Sequence, residues 1–440
     1  MKTIALTSRI MRHVKQIIVT RSSGKKIFQV IFGVVFFLSI TVVPSAAQKL
    51  KYSETVVAGS PDKFAEVRHV VLRGSNFNIG RKIGEIAKRD GAVINRQGNN
   101  ILNRTKRIYM SKYYPIHYDR MRGLADAYGL DITDNSYDLS GLFQPQFQPT
   151  TARPGCSVIF YPDSVTENGH SILSRNYDFI TGDINGRRPQ NSGQALMSRP
   201  YIFEIHPDKG YSSLSICAFE YLGGVLDGIN SEGLVVSILS ESESPQKVGM
   251  EPGNEVGVHE LMCMRYLLDN CKNVEEAKEA LLFLKHYYCF IPCHYIIGDR
   301  SGKSFIFEFS PARNKSCIID GNGPQFVTNH LVFLHQKVEE FPETGLNWSM
   351  TRYKMLNESI KAKTKFSLED IAAIADGVSI PLNAPGNPER AWNRTLWYAQ
   401  YDADNLTLTV KFYLGEKPDP EKEKMVVLEY SPLIVFKLIE

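Results

Sequence analysis

Apolar residues recur along this chain with two different periods, and the switches between them divide it into blocks. Ile79, Ile83, Ile86 and Ala87 keep the spacing of one helical face, which predicts a helix over 78–88. Tyr118, Met121, Leu124, Ala125 and Tyr128 repeat that spacing in the stretch from Tyr114, and Gly129 predicts the stop. Over 141–154 neither period survives, and a run rich in Gln, Pro and Thr predicts an exposed linker. From Cys156 the period changes to two. Residues 157–161 and 171–175 read as strands flanking Asn168-Gly169, a hairpin signal because both residues tolerate positive φ. Cys156 and Arg175 then fall toward the same end of neighbouring strands. Alternation predicts further strands at 201–205, 213–219, 225–230 and 233–237, followed by helices at 256–268 and 274–284. Strands return at 295–298, 304–309, 316–319 and 325–328. Helical spacing resumes over 349–362 and, after the cap-like Ser367-Leu368-Glu369-Asp370, runs through Ala375. The tail alternates again at 395–402, 407–412 and 426–430.

This order of blocks predicts an α+β protein with two antiparallel sheets and helices outside each. No internal repeat and no Walker or Rossmann glycine pattern is present. The blocks suggest three regions: 1–47 as a signal segment, 48–155 as a helical leader, and 156–440 as the main domain. With 440 residues, 43% of them hydrophobic, the chain can bury a large core.

Charge changes the picture only at the start. The formal net charge is +4, but seven Lys and Arg lie within the first 26 residues, with no acid among them, and residues 27–47 are uncharged. From Gln48 onward 44 basic residues face 47 acidic ones, so a nucleic-acid partner has no compositional support. The basic start, the apolar run 27–43 and the small residues of Pro44-Ser45-Ala46-Ala47 predict export to the periplasm or exterior, with cleavage after Ala47. A membrane anchor is the competing reading, although the run is interrupted by Gln29, Ser39 and Thr41 and sits at the short limit for a spanning helix.

Seven cysteines, none before Cys156, leave at least one unpaired within the chain whatever the others do. Cys289-x-x-x-Cys293-His294 invites a zinc reading, but it sits in an apolar aromatic run without a second ligand pair. Buried structural cysteines are therefore expected there, and no metal.

The candidate chemistry gathers at Arg153-Pro154-Gly155-Cys156-Ser157. A thiol is the most nucleophilic side chain near neutral pH, but it needs a base. If the Gly155-Cys156 bond is cut, the new α-amino group supplies one, because its reference pKa of about 7.7–8.0 leaves a useful neutral fraction. No histidine stands in a recognisable pairing with Cys156. Gly155 does not resist a distorted carbonyl and Pro154 stiffens the approach. The same tripeptide also fits an ordinary turn entering a strand. Arg175 and Asp178, on the strand returning toward Cys156, suit a guanidinium for the thiolate and a carboxylate for the amine. They also fit a surface ion pair.

The motifs that follow add up to more than any one of them. Gly74 to Gly84 and Met121-Arg122-Gly123-Leu124-Ala125 precede Gly155-Cys156-Ser157 and Arg175-Asn176-Tyr177-Asp178. Downstream come Asp227-Gly228-Ile229-Asn230 with Gly233-Leu234, Val327-Thr328-Asn329-His330, Ser349-Met350-Thr351-Arg352 and Arg394-Thr395-Leu396-Trp397. In order and spacing the chain resembles the N-terminal-nucleophile amide hydrolases, specifically the acyl-CoA:6-aminopenicillanate acyltransferase-like linear amide C–N hydrolases. Choloylglycine hydrolases and penicillin V acylases are more distant relatives.

The resemblance implies a four-layer αββα sandwich and self-cleavage at Gly155-Cys156, with the leader 48–155 retained non-covalently. It implies Cys156 as nucleophile and base, Arg175 and Asp178 orienting it, Asn329 as oxyanion donor and Arg352 as a site arginine, with no metal or organic cofactor. Ser240 stands where choloylglycine-type enzymes place a side-chain oxyanion donor. The implied activity is hydrolysis of a linear amide in a small-molecule N-acyl substrate through a Cys156 thioester. Acyl transfer to an amine is the alternative outcome, and a non-catalytic secreted protein keeping the fold is a second.

Overall fold

The computed structural model describes residues 50–147, 155–182, 195–241, 255–310, 315–335, 337–341, 348–380, 393–421 and 426–439. The expected signal segment with its cleavage after Ala47, the competing anchor at 27–43, and Arg153 and Pro154 lie outside them. Among the described residues no helix is long and apolar enough to cross a membrane.

Two strands open the described chain, β1 (Lys51–Gly59) and β2 (Glu66–Gly74). Three helices follow: α1 (Asn76–Arg89), α2 (Asn100–Tyr113) and α3 (Pro115–Tyr128). The leader expected to be helical thus carries a strand pair as well. In β2, Val67, Val70 and Leu72 are fully buried beside half-exposed charged neighbours, a mixed pattern that the helical signals on either side overshadowed. The helix from Tyr114 stops where expected, because Gly129 takes the left-handed conformation (φ 68°) that closes a helix C-terminus.

Of the stretch expected to be an exposed linker, 148–154 lie outside the described residues, and Leu142 and Gln144 are buried. From Cys156 come β3 (Cys156–Tyr161) and β4 (Ile172–Ile180), then β5 (Tyr201–Pro207), β6 (Ser213–Cys217), β7 (Val225–Asn230) and β8 (Val235–Ser240). The short β9 (Val258–His259) leads into α4 (Glu260–Asn270) and α5 (Val274–Phe283). The helix predicted from 256 therefore starts later, since Val258 and His259 pair with β10 (His286–Tyr287). The rest comprises β11 (Cys293–Gly298), β12 (Ser304–Ser310), β13 (Lys315–Asp320), β14 (Gln325–Val327), α6 (Trp348–Lys361), α7 (Leu368–Gly377), β15 (Asn393–Asp402), β16 (Thr407–Pro418), β17 (Val426–Tyr430) and β18 (Ile434–Lys437).

One sheet has nine strands in the order β1-β2-β5-β6-β7-β8-β11-β12-β13; the other runs β14-β3-β4-β15-β16-β17, with β18 also on β16. Pairing is antiparallel throughout both sheets except between β2 and β5. That parallel pair departs from the expected pattern because its partners lie on opposite sides of Cys156, and the three helices and first main strands form the crossover a parallel pair requires. The sheets pack face to face: a Cβ on Gly298 of β11 would lie 2.3 Å from the Phe160 ring of β3. Helix α4 covers the β7–β8 face of the first sheet, and α6 and α7 cover β14 and β4 of the second. The result is the four-layer αββα sandwich, with Cys156 at the start of a strand lying between the layers.

The segment before Cys156 is bound firmly to the rest. Arg120 of α3 makes a bidentate pair with Asp269 of α4 (2.7 and 3.0 Å), where Arg265 and the Tyr114 hydroxyl also converge. All four side chains are buried, so the pair is fully hydrogen-bonded, as a buried pair must be to persist.

Candidate active site

Register explains why Cys156 and Arg175 meet. Cys156 lies opposite Tyr177 and Val158 opposite Arg175, so all four side chains emerge on one face of the β3–β4 ladder. The connection is longer than the predicted two-residue hairpin: it includes a 3-10 turn (Asp163–Val165), and Gly169 takes φ 71°. The facing of Cys156 and Arg175 survives because it depends on strand period rather than on loop length.

A spacing of three puts Asp178 on the opposite face from Arg175, so the two approach Cys156 from different sides and do not pair with each other. Arg175 reaches into the first sheet. Its Nη1 donates to Asp227 Oδ2 (2.6 Å) and to Leu226 O (2.6 Å), and its Nη2 donates to Ile238 O (2.7 Å) and lies 3.8 Å from Cys156 Sγ. Asp227 is held in turn by the Trp397 indole N–H (3.4 Å) and the Tyr401 hydroxyl. The Tyr177 ring stacks flat on Trp397 (3.9 Å, 3°) and takes the Arg175 guanidinium over its face. Burial pushes the Cys156 thiol up from its ordinary pKa, while the Arg175 cation pulls it back.

Asp178 grips the peptide bond itself. Its backbone N–H donates to Gly155 O at 2.8 Å, and its carboxylate stands beside Gly155, where a Cβ would meet Oδ2 at 3.3 Å. Oδ1 accepts from the Thr395 hydroxyl (2.7 Å), whereas Oδ2 is buried and, among the described residues, without a hydrogen-bond partner, with Arg352 Nη1 at 3.9 Å. Burial pushes the Asp178 carboxyl up to about 6, against the opposing pull of Arg352 and the Thr395 hydrogen bond. Thr395→Val strands both Asp178 Oδ1 and the Ile380 N–H that Thr395 accepts (3.0 Å). The expected cost is about 2–4 kcal/mol for the two groups, read as a lower urea midpoint with an unchanged slope.

Asn329 completes the grip from 173 residues away in sequence. Its Oδ1 accepts from Cys156 N (2.7 Å) and from Arg352 Nη2 (2.7 Å), and its Nδ2 donates to Ser240 O (2.7 Å) and Ser240 Oγ (3.2 Å). Arg352 Nη1 also donates to Cys156 O. The role expected for Asn329, donor to an oxyanion, is therefore only half of its geometry: the carboxamide oxygen is committed to the Cys156 nitrogen, and the amide nitrogen alone faces Ser240. Ser349 Oγ accepts the Asn329 backbone N–H (2.7 Å) and fixes that orientation.

Cys156 and Ser240 line a cavity of about 60 Å³ whose walls are otherwise mainly apolar, with Tyr177, Phe179, Leu226 and Ile238 on its inner side. Among the described residues, no histidine lines it. Cys293 lines it too, while Cys289 is exposed, and both ring nitrogens of His294 are engaged, by Glu308 (3.1 Å) and by Thr328 O (2.6 Å).

The structure thus gathers Gly155, Cys156, Arg175, Asp178, Asn329, Arg352 and Ser240 into one site. Sequence reasoning gave no role to Asp227, Thr395 and Ser349, although each lay within a motif it singled out. What could have pointed to Asp227 was an acid in an apolar strand, VLDGIN, where a charge needs a partner.

The model of one protein family, described as acyl-coenzyme A:6-aminopenicillanic acid acyl-transferase, matches residues 165–417. The match begins after Cys156 and includes Arg175, Asp178, Asn329 and Arg352. No curated protein matches this chain. Among solved structures, the chain is similar to a penicillin V acylase from Agrobacterium tumefaciens, with 19% identity over 58% of this chain and 83% of that one and a TM-score of 0.40. It is also similar to a mutant conjugated bile acid hydrolase from Clostridium perfringens, with 16% identity, 64% and 96% coverage and a TM-score of 0.41.

Proposed function

The chain belongs to the acyl-coenzyme A:6-aminopenicillanic acid acyl-transferase family and is an enzyme of linear amide bonds with the N-terminal-nucleophile fold, and from that premise we propose that it cuts itself between Gly155 and Cys156 and then hydrolyses N-acyl amides through a thioester on Cys156. One observation carries this reading: the Gly155-Cys156 peptide is gripped on both sides, its carbonyl by the Asp178 N–H and its nitrogen by Asn329 Oδ1, beside a cavity that Cys156 lines.

In the uncut chain the thiolate attacks the Gly155 carbonyl carbon. Negative charge then develops on the oxygen that the Asp178 N–H already holds, which is where a fixed donor lowers a barrier most. The C–N bond breaks and Cys156 N leaves as an amine. Water next hydrolyses the Gly155 thioester, releasing the leader's carboxylate and restoring the thiol. In the processed chain the α-amine takes the thiol proton, and the thiolate opens the substrate amide. We assign the oxyanion to the Ser240 hydroxyl, which lines the cavity, and to Asn329 Nδ2, which in the uncut chain donates to Ser240 O and Oγ, and the leaving amine takes its proton from the α-ammonium. Water then releases the acid. Acyl transfer differs only in that a bound amine, not water, reaches the thioester, and analysis of products with an amine present separates the two. The buried Arg120–Asp269 pair and the β2–β5 ladder support retention of the leader after cutting.

The experiment is a denaturing gel of purified protein with N-terminal sequencing. Two fragments, the larger starting at Cys156, are expected, followed by release of acid from an N-acyl amide panel. An uncut, inactive wild-type chain would sink the proposal.

The uncut chain has no free α-amine at Cys156, so the first cut needs another proton acceptor, and the unpartnered Asp178 Oδ2 is the candidate. A carboxyl accepts protons only above its pKa, so cutting should accelerate as pH rises through about 6. Asp178→Asn should slow cutting by about 10²–10³-fold and flatten the profile. The measurement is a time course of cell-free-synthesised chain moved into buffers across that range; a flat wild-type profile removes Asp178 from the role.

Export is part of the same proposal, supported by the basic start, the apolar run and the small residues before Gln48.

A further inference from the structure

Three half-buried rings from three separate segments, Phe147, Phe219 and Phe290, line the cavity. Phe147 packs edge-on against Phe290 (4.7 Å) and Phe219 (5.7 Å), and stacks with Phe143 (5.1 Å), which is 37% exposed and marks the outer edge of the cluster. Phe147 lies before the cut site, so a segment that self-cleavage severs from Cys156 forms part of the wall of the cavity that Cys156 lines.

The severed segment also shapes a second ring. Phe219 has φ 69°, a conformation that bulky residues avoid and that persists only where surroundings hold it. The holder is Gln144: its side-chain Oε1 accepts the Phe219 N–H (3.1 Å), and its own N–H donates to Phe219 O (2.7 Å). Gln144 Nε2 is anchored on Arg199 O (3.0 Å), and the flanking backbone is tied by Tyr221 N–H to Leu142 O (2.9 Å). Buried Glu220 fastens the two sides together by accepting from Leu142 N (2.8 Å) and Leu222 N (2.7 Å). The third ring is held likewise, with Glu260 accepting from Cys289 N and Phe290 N, each at 2.7 Å. Rings held this way form a fixed wall, and a fixed apolar wall selects ligands by length and shape.

We propose that Phe147 is a specificity-determining residue of the acyl site, with Gln144 positioning Phe219 beside it, and that the acyl group lying against them is an unbranched aliphatic chain or a single aromatic ring. This rests on the reading of Cys156 as the residue that becomes acylated. The leader is then a working half of the substrate site, and its retention is needed for selectivity as well as for stability.

The test uses N-alkyl iodoacetamides from methyl to octyl on purified protein, with the rate of Cys156 alkylation followed by mass spectrometry. The thiolate displaces iodide, so the probe reads the cavity whether or not the protein turns over amides. Each methylene that finds a place in the cavity should speed reaction by about fourfold. Phe147→Ala should lower the hexyl-over-methyl ratio by about tenfold, the contact of one ring face, and Phe147→Leu by less. Phe147→Trp should shift the best chain toward shorter probes, and Gln144→Ala should move the ratio in the same direction as Phe147→Ala. A ratio within twofold of wild type in both Phe147→Ala and Phe147→Trp overturns the proposal. A parallel series of N-acyl p-nitroanilides separates the two readings. Phe147-dependent alkylation with no amide cleavage defeats the amidase reading and leaves the wall intact; amide cleavage whose chain-length profile ignores Phe147 defeats the wall and leaves the amidase.

Discussion

Cys156→Ala is expected to run as a single uncut chain and to hydrolyse no amide. In the proposed mechanism both steps use the same sulfur, first on the Gly155 carbonyl and then on the substrate, so one substitution removes both. Cys293, which lines the same cavity, is no replacement: burial holds its thiol well above its ordinary pKa, and the Arg175 guanidinium that faces Cys156 is committed there. Loss of a nucleophile that acts as one unit with its base costs on the order of 10⁶-fold, which here falls below detection. The variant should still fold, since Cys156 Sγ gives up a 3.8 Å contact with Arg175 Nη2, while the grips on Gly155 O and Cys156 N are made by other atoms. If Cys156→Ala still splits between residues 155 and 156, self-cleavage through this thiol is wrong.

Arg175→Met carries the second large effect, and it strikes stability before activity. Arg175 and Asp227 are both fully buried, so removing the cation leaves an uncompensated carboxylate between the sheets at a cost of about 3–5 kcal/mol. Leu226 O and Ile238 O lose their donors as well. That is a large fraction of the roughly 5–15 kcal/mol that typically holds a domain together, so most of the variant should be insoluble or should unfold at low urea. The double variant Arg175→Met/Asp227→Asn separates the two roles. Asparagine is neutral, and with its oxygen toward the Trp397 N–H its NH2 can donate to the Tyr401 hydroxyl, so much of the stability should return. Activity should not, because Cys156 has lost the cation that opposes the effect of burial on its thiol. Alkylation of Cys156 by iodoacetamide, followed against pH, should show its midpoint displaced upward in the double variant. A single variant as stable as wild type would contradict the buried-pair argument, and a double variant with an unmoved midpoint would contradict the role at the thiol.

The two experiments bear on how differently the site's parts could be read. The facing of Cys156 and Arg175 was legible because it follows from strand alternation across adjacent strands, and alternation holds even though the connecting loop proved longer than the hairpin signal suggested. Asp178 was legible as a candidate but not as to its partners. Three residues from Arg175 means the opposite face, and which charge lies across that face depends on β15 and α6, more than 170 residues downstream. Asn329 was found through its motif, yet the way its carboxamide points is set by Ser240, Arg352 and Ser349, none of them adjacent to it in sequence.

By itself the sequence determined the succession of helices and longer strands from Cys156 to β17, the short β9 and β10 apart, the stop at Gly129, the cap at Ser367 and the grouping of chemistry around Cys156. Each of these depends on local period, local φ preference or neighbouring strands, which short-range sterics and side-chain alternation control. Only the tertiary structure decided that the leader enters the nine-stranded sheet through a parallel pairing of β2 with β5, that Arg175 answers to Asp227 while Asp178 keeps an open oxygen beside Gly155, and that Phe147 and Gln144 reach across to the cavity. Those contacts join residues tens to hundreds of positions apart. What selects them is the joint burial of two sheets and the demand that every charge enclosed between the layers find a partner, and neither acts over the span of a motif.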